Sequence, residues 1–200
     1  MSERRVEAVV IGGSAGALDA LRVLLPALPG GCAVPVVIVL HMSGTRPSQL
    51  PEVLARRTVL PVEEAADKAR ALPGVVYVAP PNYHLLVERD RSFALSADEP
   101  IHFSRPAIDV LFESAADAYG EGLVGIILTG ANEDGARGLA AVQQAGGLAV
   151  VQSPEEAQVA VMPRAAIAAT GTDAVLPLAE IASLLGRLVG VRGADAEAHS

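Results

Sequence analysis

Residues 8–21 read AVVIGGSAGALDAL, and the fold turns on this stretch. Ala8-Val9-Val10-Ile11 is an apolar, largely β-branched run without a charge, the pattern of a strand buried on both faces. Gly12-Gly13-Ser14-Ala15-Gly16 follows directly, and Leu18, Leu21, Leu24 and Leu25 then recur at helical spacing. The strand, glycine turn and helix set one hydroxyl, that of Ser14, at the carboxyl end of a strand. It also stands beside the amino end of a helix, where unpaired N–H groups and the helix dipole favour a developing negative charge. Gly12-x-Ser14-x-Gly16 has the spacing of a nucleophile elbow. It fails the dinucleotide pattern G-x-G-x-x-G, because Ser14 and Ala17 occupy two of its glycine positions. A phosphate-binding turn or a plain strand-to-helix connection has the same local pattern, so the rest of the chain must decide between them.

Composition narrows the classes. Two hundred residues that are 51% hydrophobic suffice for one full core and are few for two ordinary domains. No apolar run reaches the roughly 20 residues needed to cross a bilayer. MSERRVEAVV passes straight into the first strand, without the separate apolar segment and cleavage site of a secretory signal. The single cysteine, Cys32, excludes an intramolecular disulfide and a multi-cysteine zinc site. With a net charge of −8, aromatics at 3% and no Trp, the chain lacks the basic stripes and stacking platforms of nucleic-acid binders. A cytoplasmic protein that binds neither nucleic acid nor membrane is expected, without a cofactor and, since nothing has metal-ligand spacing, without a metal.

Taken in order, Val34–Leu40 reads as a second buried strand, ending on His41. Pro47–Arg57 reads as a short helix, and Val59–Val62 and Val75–Ala79 as strands. Tyr83–Glu88, the turn Arg89-Asp90-Arg91 and Ser92–Leu95 form an antiparallel hairpin pattern. Ile108–Tyr119 is helical, opened by Arg105-Pro106. Leu123–Leu128 is a third buried strand, and Thr129–Gly135 is the loop leaving its carboxyl end. A helix from Ala136 to about Ala145, a strand at Leu148–Gln152, a helix from Pro163, an extended Ala174–Leu176 and an amphipathic helix at Ala179–Leu188 complete the pattern. The alternation predicts an α/β fold, with a doubly wound, mostly parallel sheet flanked by helices and a small antiparallel hairpin. Residues 1–190 form one domain, and 191–200 a disordered tail.

Three buried strands therefore end at Ser14, His41 and the loop that holds Asp134. A serine nucleophile needs a base, and the base needs a carboxylate to fix its tautomer; histidine suits the base because it titrates near neutrality. Each residue also has a structural reading. His41 fits a strand-end histidine bonded to backbone, and Asp134 fits the cap of the helix that follows it. Glu133 and Asp19 are rival carboxylates. His84 in the hairpin and His102 in a loop are expected to face solvent, and His199 lies in the tail.

The blocks VVIGGSAGALDAL, VLHMSGTRPSQLPEVLARR, YVAPPNYHLL, RPAIDVLFESAA, GIILTGANEDGARGL and PRAAIAA, in this order, resemble the catalytic domain of the chemotaxis protein-glutamate methylesterases. The likeness runs from about Val6 to Leu188. It implies Ser14 as nucleophile, His41 as base and Asp134, rather than Glu133, as the residue that orients it. It further implies backbone N–H groups at Ala15 or Ala131 as oxyanion donors. The implied reaction is hydrolysis of glutamate methyl esters on the cytoplasmic helices of chemoreceptors, with deamidation of receptor glutamines as a side activity. Another carboxylesterase, or an idle receptor-binding module, is the alternative. Arg70, Arg89 and Arg105 are candidate contacts for acidic receptor helices.

Four departures from the family pattern stand out. Ala15 replaces the threonine of S-T-G-G, Ala131-Asn132 replaces M-G of the G-M-G loop, and Ala107 replaces the serine of R-P-S-x-D. The first strand also starts too near Met1 for the amino-terminal receiver domain that members commonly carry. The chain thus reads as a stand-alone catalytic domain or a piece of a longer protein. Oligomeric state is not legible in the sequence.

Overall fold

The computed structural model describes residues 5–41 and 49–190. In chain order the elements are β1 (Ala8–Gly13), α1 (Ala17–Leu24), β2 (Val36–Leu40), α2 (Leu50–Ala55), β3 (Val62–Glu64), β4 (Val76–Val78), β5 (His84–Val87) and β6 (Phe93–Ser96). Then come α3 (Ile108–Tyr119), β7 (Leu123–Ile127), α4 (Ala136–Gln144), β8 (Leu148–Gln152), α5 (Val161–Thr170), β9 (Val175–Leu176) and α6 (Leu178–Val189). Seven strands form one sheet in the order β3-β4-β2-β1-β7-β8-β9, every neighbouring pair parallel. β5 and β6 make a separate antiparallel pair. This is the doubly wound sheet with an added hairpin that the alternation predicts.

Strand residues are apolar on both faces because helices cover both. Val9, Ile11, Val36, Ile38, Val124 and Ile126 pack in one cluster with Ala20, Leu21 and Leu24 of α1, Leu50 and Leu54 of α2, and Ile181 and Leu185 of α6. Their alternate neighbours Val10, Val37, Val39, Ile127 and Val151 pack with Leu111 and Phe112 of α3, Leu139 of α4, Met162 of α5 and the hairpin residues Leu85 and Phe93. The chain leaves β1 toward β2 on one side and returns to β7 on the other. β1 is therefore the switch point, and open α/β sheets place their ligands beyond the carboxyl ends of the strands at such a point.

Most element ends fall within two residues of the sequence pattern, β3 is displaced, and part of the second helix lies outside the described residues. The third strand is Val62–Glu64 rather than Val59–Val62; Val59 is 77% exposed, and the strand sits at the sheet edge with Glu63 and Glu64 exposed. Polar residues suit an edge, where charge discourages pairing with a further strand. α5 begins at Val161, two residues before Pro163, since first-turn N–H groups have no helical acceptor and a proline there costs nothing. Of the helix expected at Pro47–Arg57, the described part runs Leu50–Ala55. The expected tail, residues 191–200, also lies outside the described residues.

Candidate active site

Ser14 follows β1 directly, and its N–H donates to the Thr129 carbonyl at 2.9 Å. Gly16 makes the turn possible: as the N-cap of α1 it has φ +82°, a left-handed value open to glycine at little cost. Gly13 pairs with Leu40 in register, and the His41 N–H donates to the Gly13 carbonyl at 3.1 Å. Ser14 and His41 thus emerge side by side from adjacent strands. The His41 side chain, 10% exposed, bonds through Nε2 to Asp134 Oδ2 at 2.7 Å. Nδ1 is the ring nitrogen left for another partner. No hydrogen bond joins Ser14 Oγ to His41 among the described residues.

Asp134 is fully buried, yet it does not cap the helix it precedes; Gly135 holds that position. Its carboxylate reaches the start of α3 instead. Oδ2 accepts the Ile108 N–H at 2.7 Å, and Oδ1 accepts the Asp109 N–H at 3.0 Å. Gly12 makes this approach possible, because a Cβ there would stand 2.4 Å from Ile108 Cγ2. Burial alone would push the Asp134 carboxyl up. The His41 bond and the Asp109 and Ile108 N–H bonds outweigh it and hold the group below the usual aspartate range.

The loops around Ser14 are stitched together. Thr129 Oγ1 donates to the Ala15 carbonyl at 2.8 Å and accepts the Val159 N–H at 2.9 Å. The Thr129 N–H donates to buried Gln152 Oε1 at 2.8 Å. The Gly130 N–H is taken by the Val159 carbonyl. Ala15 and Ala131 are both exposed, and among the described residues their N–H groups donate to no partner. Ala15 directly follows Ser14, and Ala131 lies two residues beyond Thr129, whose carbonyl accepts the Ser14 N–H.

The rival carboxylates lie elsewhere. Glu133 is 70% exposed and faces His102 at 3.7 Å; Asp19 pairs with Arg22 at 2.7 Å on the surface of α1. His102 sits in an exposed loop position, 3.9 Å from Asp109. His84 is a correction: expected in solvent, it is 2% exposed. Its Nδ1 accepts the Ala107 N–H at 3.1 Å and its Nε2 donates to the Glu99 carbonyl at 3.0 Å, which defines the neutral Nε2–H tautomer. His84 therefore satisfies the amide just ahead of the two that Asp134 satisfies. Its burial comes from residues 97–107 folding over the hairpin, a contact with no local signature. Asp109, also unassigned from the sequence, is 1% exposed. Arg105 is tied to its own loop through the carbonyls of Ala97 and Asp98.

Among the described residues, no group of three or more His, Cys, Asp or Glu side chains is placed to hold a metal, and no helix is long and apolar enough to cross a membrane. A cavity of about 560 Å³ opens at the opposite, amino-terminal edge of the sheet, lined in part by Arg5, Pro35, Arg91 and Tyr119. None of the candidate site residues lines it.

Comparison with known proteins adds a family. Residues 9–185 match the family described as CheB methylesterase. The chain is 50% identical over 182 residues to a putative protein-glutamate methylesterase/protein-glutamine glutaminase of Leptospira interrogans, covering 91% of this chain and 94% of that one. It is 39% identical over 189 residues to protein-glutamate methylesterase/protein-glutamine glutaminase 1 of Methanosarcina mazei, covering 92% of this chain and 53% of that one. The crystal structure of the Thermotoga maritima CheB methylesterase catalytic domain superposes with a TM-score of 0.86 at 34% identity, over 92% of this chain and 99% of that domain.

Proposed function

Since the chain belongs to the CheB methylesterase family, we propose that it is a serine hydrolase acting on glutamate methyl esters of chemoreceptor helices in the cytoplasm. The observation that carries this reading is the convergence of Ser14, His41 and buried Asp134 at the switch point, with the 2.7 Å bond from His41 to Asp134. His41, with Nε2–H donated to Asp134, takes the Ser14 proton at Nδ1 as Oγ attacks the side-chain ester carbonyl. Asp134 supports the imidazolium that forms. The N–H groups of Ala15 and Ala131 hold the developing oxyanion, where one such donor is worth ~3–4 kcal/mol. His41 returns the proton to the departing methoxide oxygen, releasing methanol. A water activated by the same nitrogen then opens the acyl-serine to leave glutamate. A glutamine amide follows the same path with ammonia as leaving group, which accounts for the double name of the relatives.

The test is methanol release from a methylated chemoreceptor fragment by the parent and Ser14→Ala side by side. Release that vanishes in the variant supports the reaction and the nucleophile together. Folded parent protein that releases none, yet turns over a simple aryl ester, would point to another ester substrate.

A further inference from the structure

We propose that Asp109 is a positioning residue for this hydrolysis, fixing the carboxylate of Asp134 by a reciprocal bond between the first turns of α3 and α4; the inference rests on the triad reading above. Each aspartate stands at the start of one helix and satisfies the N–H groups of the other. Asp134, just ahead of α4, accepts from Ile108 and Asp109 at the head of α3 (2.7 and 3.0 Å). Asp109, the second residue of α3, accepts through Oδ1 from Gly135 and Gly138 at the head of α4 (2.9 and 2.7 Å). The bonds close a ring. The Asp109 side chain holds the amide next to Asp134, and the Asp134 side chain holds the Asp109 amide.

The two helices meet as closely as their backbones allow. A Cβ on Gly138 would stand 2.6 Å from Phe112 Cβ and 3.0 Å from Asp109 Cα. Within this contact both aspartates are at most 1% exposed. Burial pushes the Asp109 carboxyl up against the opposing Gly138 bond, and the charge of Asp134 adds to the rise. Arg137, 3.9 Å away, provides the facing cation; the His102 ring lies at the same distance, with Glu113 nearby on α3. An arrangement that places like charges together in the interior has a use if it locks one of them in register with His41. Catalytic geometry needs that lock, since a misplacement of about 1 Å costs on the order of 100-fold in rate.

The experiment compares the parent with Asp109→Ala and Asp109→Asn. It measures kcat and KM for methanol release per serine titrated with a fluorophosphonate, together with the His41 Nε2 proton resonance that reports the bond to Asp134. Asp109→Asn keeps the acceptor for both amides and is expected within about 3-fold of the parent. Asp109→Ala removes it; kcat is expected to fall by roughly 100-fold at unchanged KM, with the imidazole resonance lost. If Asp109→Ala does not fold, Asp109→Ser, whose acceptor is too short to reach both amides, is held to the same expectations. Folded Ala or Ser protein that keeps kcat within 2-fold overturns the proposal. So does a loss confined to KM, or a loss in Asn equal to that in Ala. The resonance needs no substrate: its retention in the Ala variant overturns the proposal even if the parent proves inactive on receptor, a failure that would belong to the substrate reading alone.

Discussion

Replacing Asp134 by asparagine separates the structural from the chemical work of one carboxylate. In the parent three donors meet two oxygens: Ile108 N–H and His41 Nε2–H at Oδ2, and Asp109 N–H at Oδ1. An amide offers one oxygen, so two orientations compete. With the oxygen toward Ile108 and His41, its NH₂ confronts the Asp109 N–H. With the oxygen toward Asp109, the NH₂ confronts the Ile108 N–H, and His41 can bond only by presenting a bare Nε2. Either way one buried N–H is left unpaired, at a cost of about 1–3 kcal/mol. For a chain of this size that is a fall in Tm of roughly 2–12 °C. The second orientation also drives the proton onto Nδ1, leaving no base for Ser14. A wrong tautomer of this kind costs ~10⁴ in kcat in a serine protease triad. The first keeps the tautomer but not the charge that supports the imidazolium. We expect a kcat loss approaching ~10⁴ at unchanged KM, measured by methanol release, beside a Tm decrease in calorimetry. A variant with lowered Tm and turnover within about tenfold of the parent would show that the carboxylate only holds α3, and would refute the chemical half of the reasoning.

Other consequences follow from the same geometry. Gly16→Ala forces a side chain into φ +82° and brings its Cβ to 2.4 Å from Gln158 Oε1 and 2.8 Å from Gln158 Cβ; about 1–2 kcal/mol should be lost on urea unfolding from the backbone alone, with kcat falling as the serine turn shifts. His84→Ala leaves the buried Ala107 N–H unpaired, so Tm should drop by an amount equivalent to about 1–3 kcal/mol, while Ser14 still titrates fully with a fluorophosphonate. The two aspartates should oppose each other in pH dependence. Asp134, depressed in the folded state, contributes stability above its unfolded pKa of about 3.9 and loses it as pH falls through the folded value. Asp109, raised, contributes stability below its unfolded pKa and loses it as pH rises through the folded value. Between about pH 3 and pH 7, the stability of Asp134→Asn relative to the parent should therefore worsen and that of Asp109→Asn improve. Urea midpoints moving together would contradict this.

How much of this was legible in the sequence depended on whether the signal was local. β8 at Leu148–Gln152 and α3 at Ile108–Tyr119 fall on the ranges their patterns predict, because Gly146-Gly147 and Pro106 punctuate apolar runs of unmistakable period. Ser14 and His41 were visible as the polar residues that terminate buried strands. Asp134 was visible as a loop carboxylate; residue types alone left Glu133 and Asp19 beside it, the family resemblance pointed to Asp134, and the fold brings Asp134 to His41. β3 was misplaced because apolar content pointed to Val59, whereas pairing with β4 selects Val62–Glu64. His84 and Asp109 stayed hidden for another reason. Their partners lie 15–23 and 26–29 residues away, and neither spacing leaves a periodic trace.

The three residues proposed for the chemistry issue from or border β1, β2 and β7, the middle of a seven-stranded sheet rather than its rim. The amides of Ser14 and Leu128 are bonded across that middle, to Thr129 and Gly12. Such amides exchange with solvent only when the whole sheet comes apart. The site is therefore expected to unfold with the central strands rather than ahead of them. Denaturant should extinguish turnover and secondary structure at one midpoint, and chemical competence in this protein is bound to the integrity of its entire β-sheet.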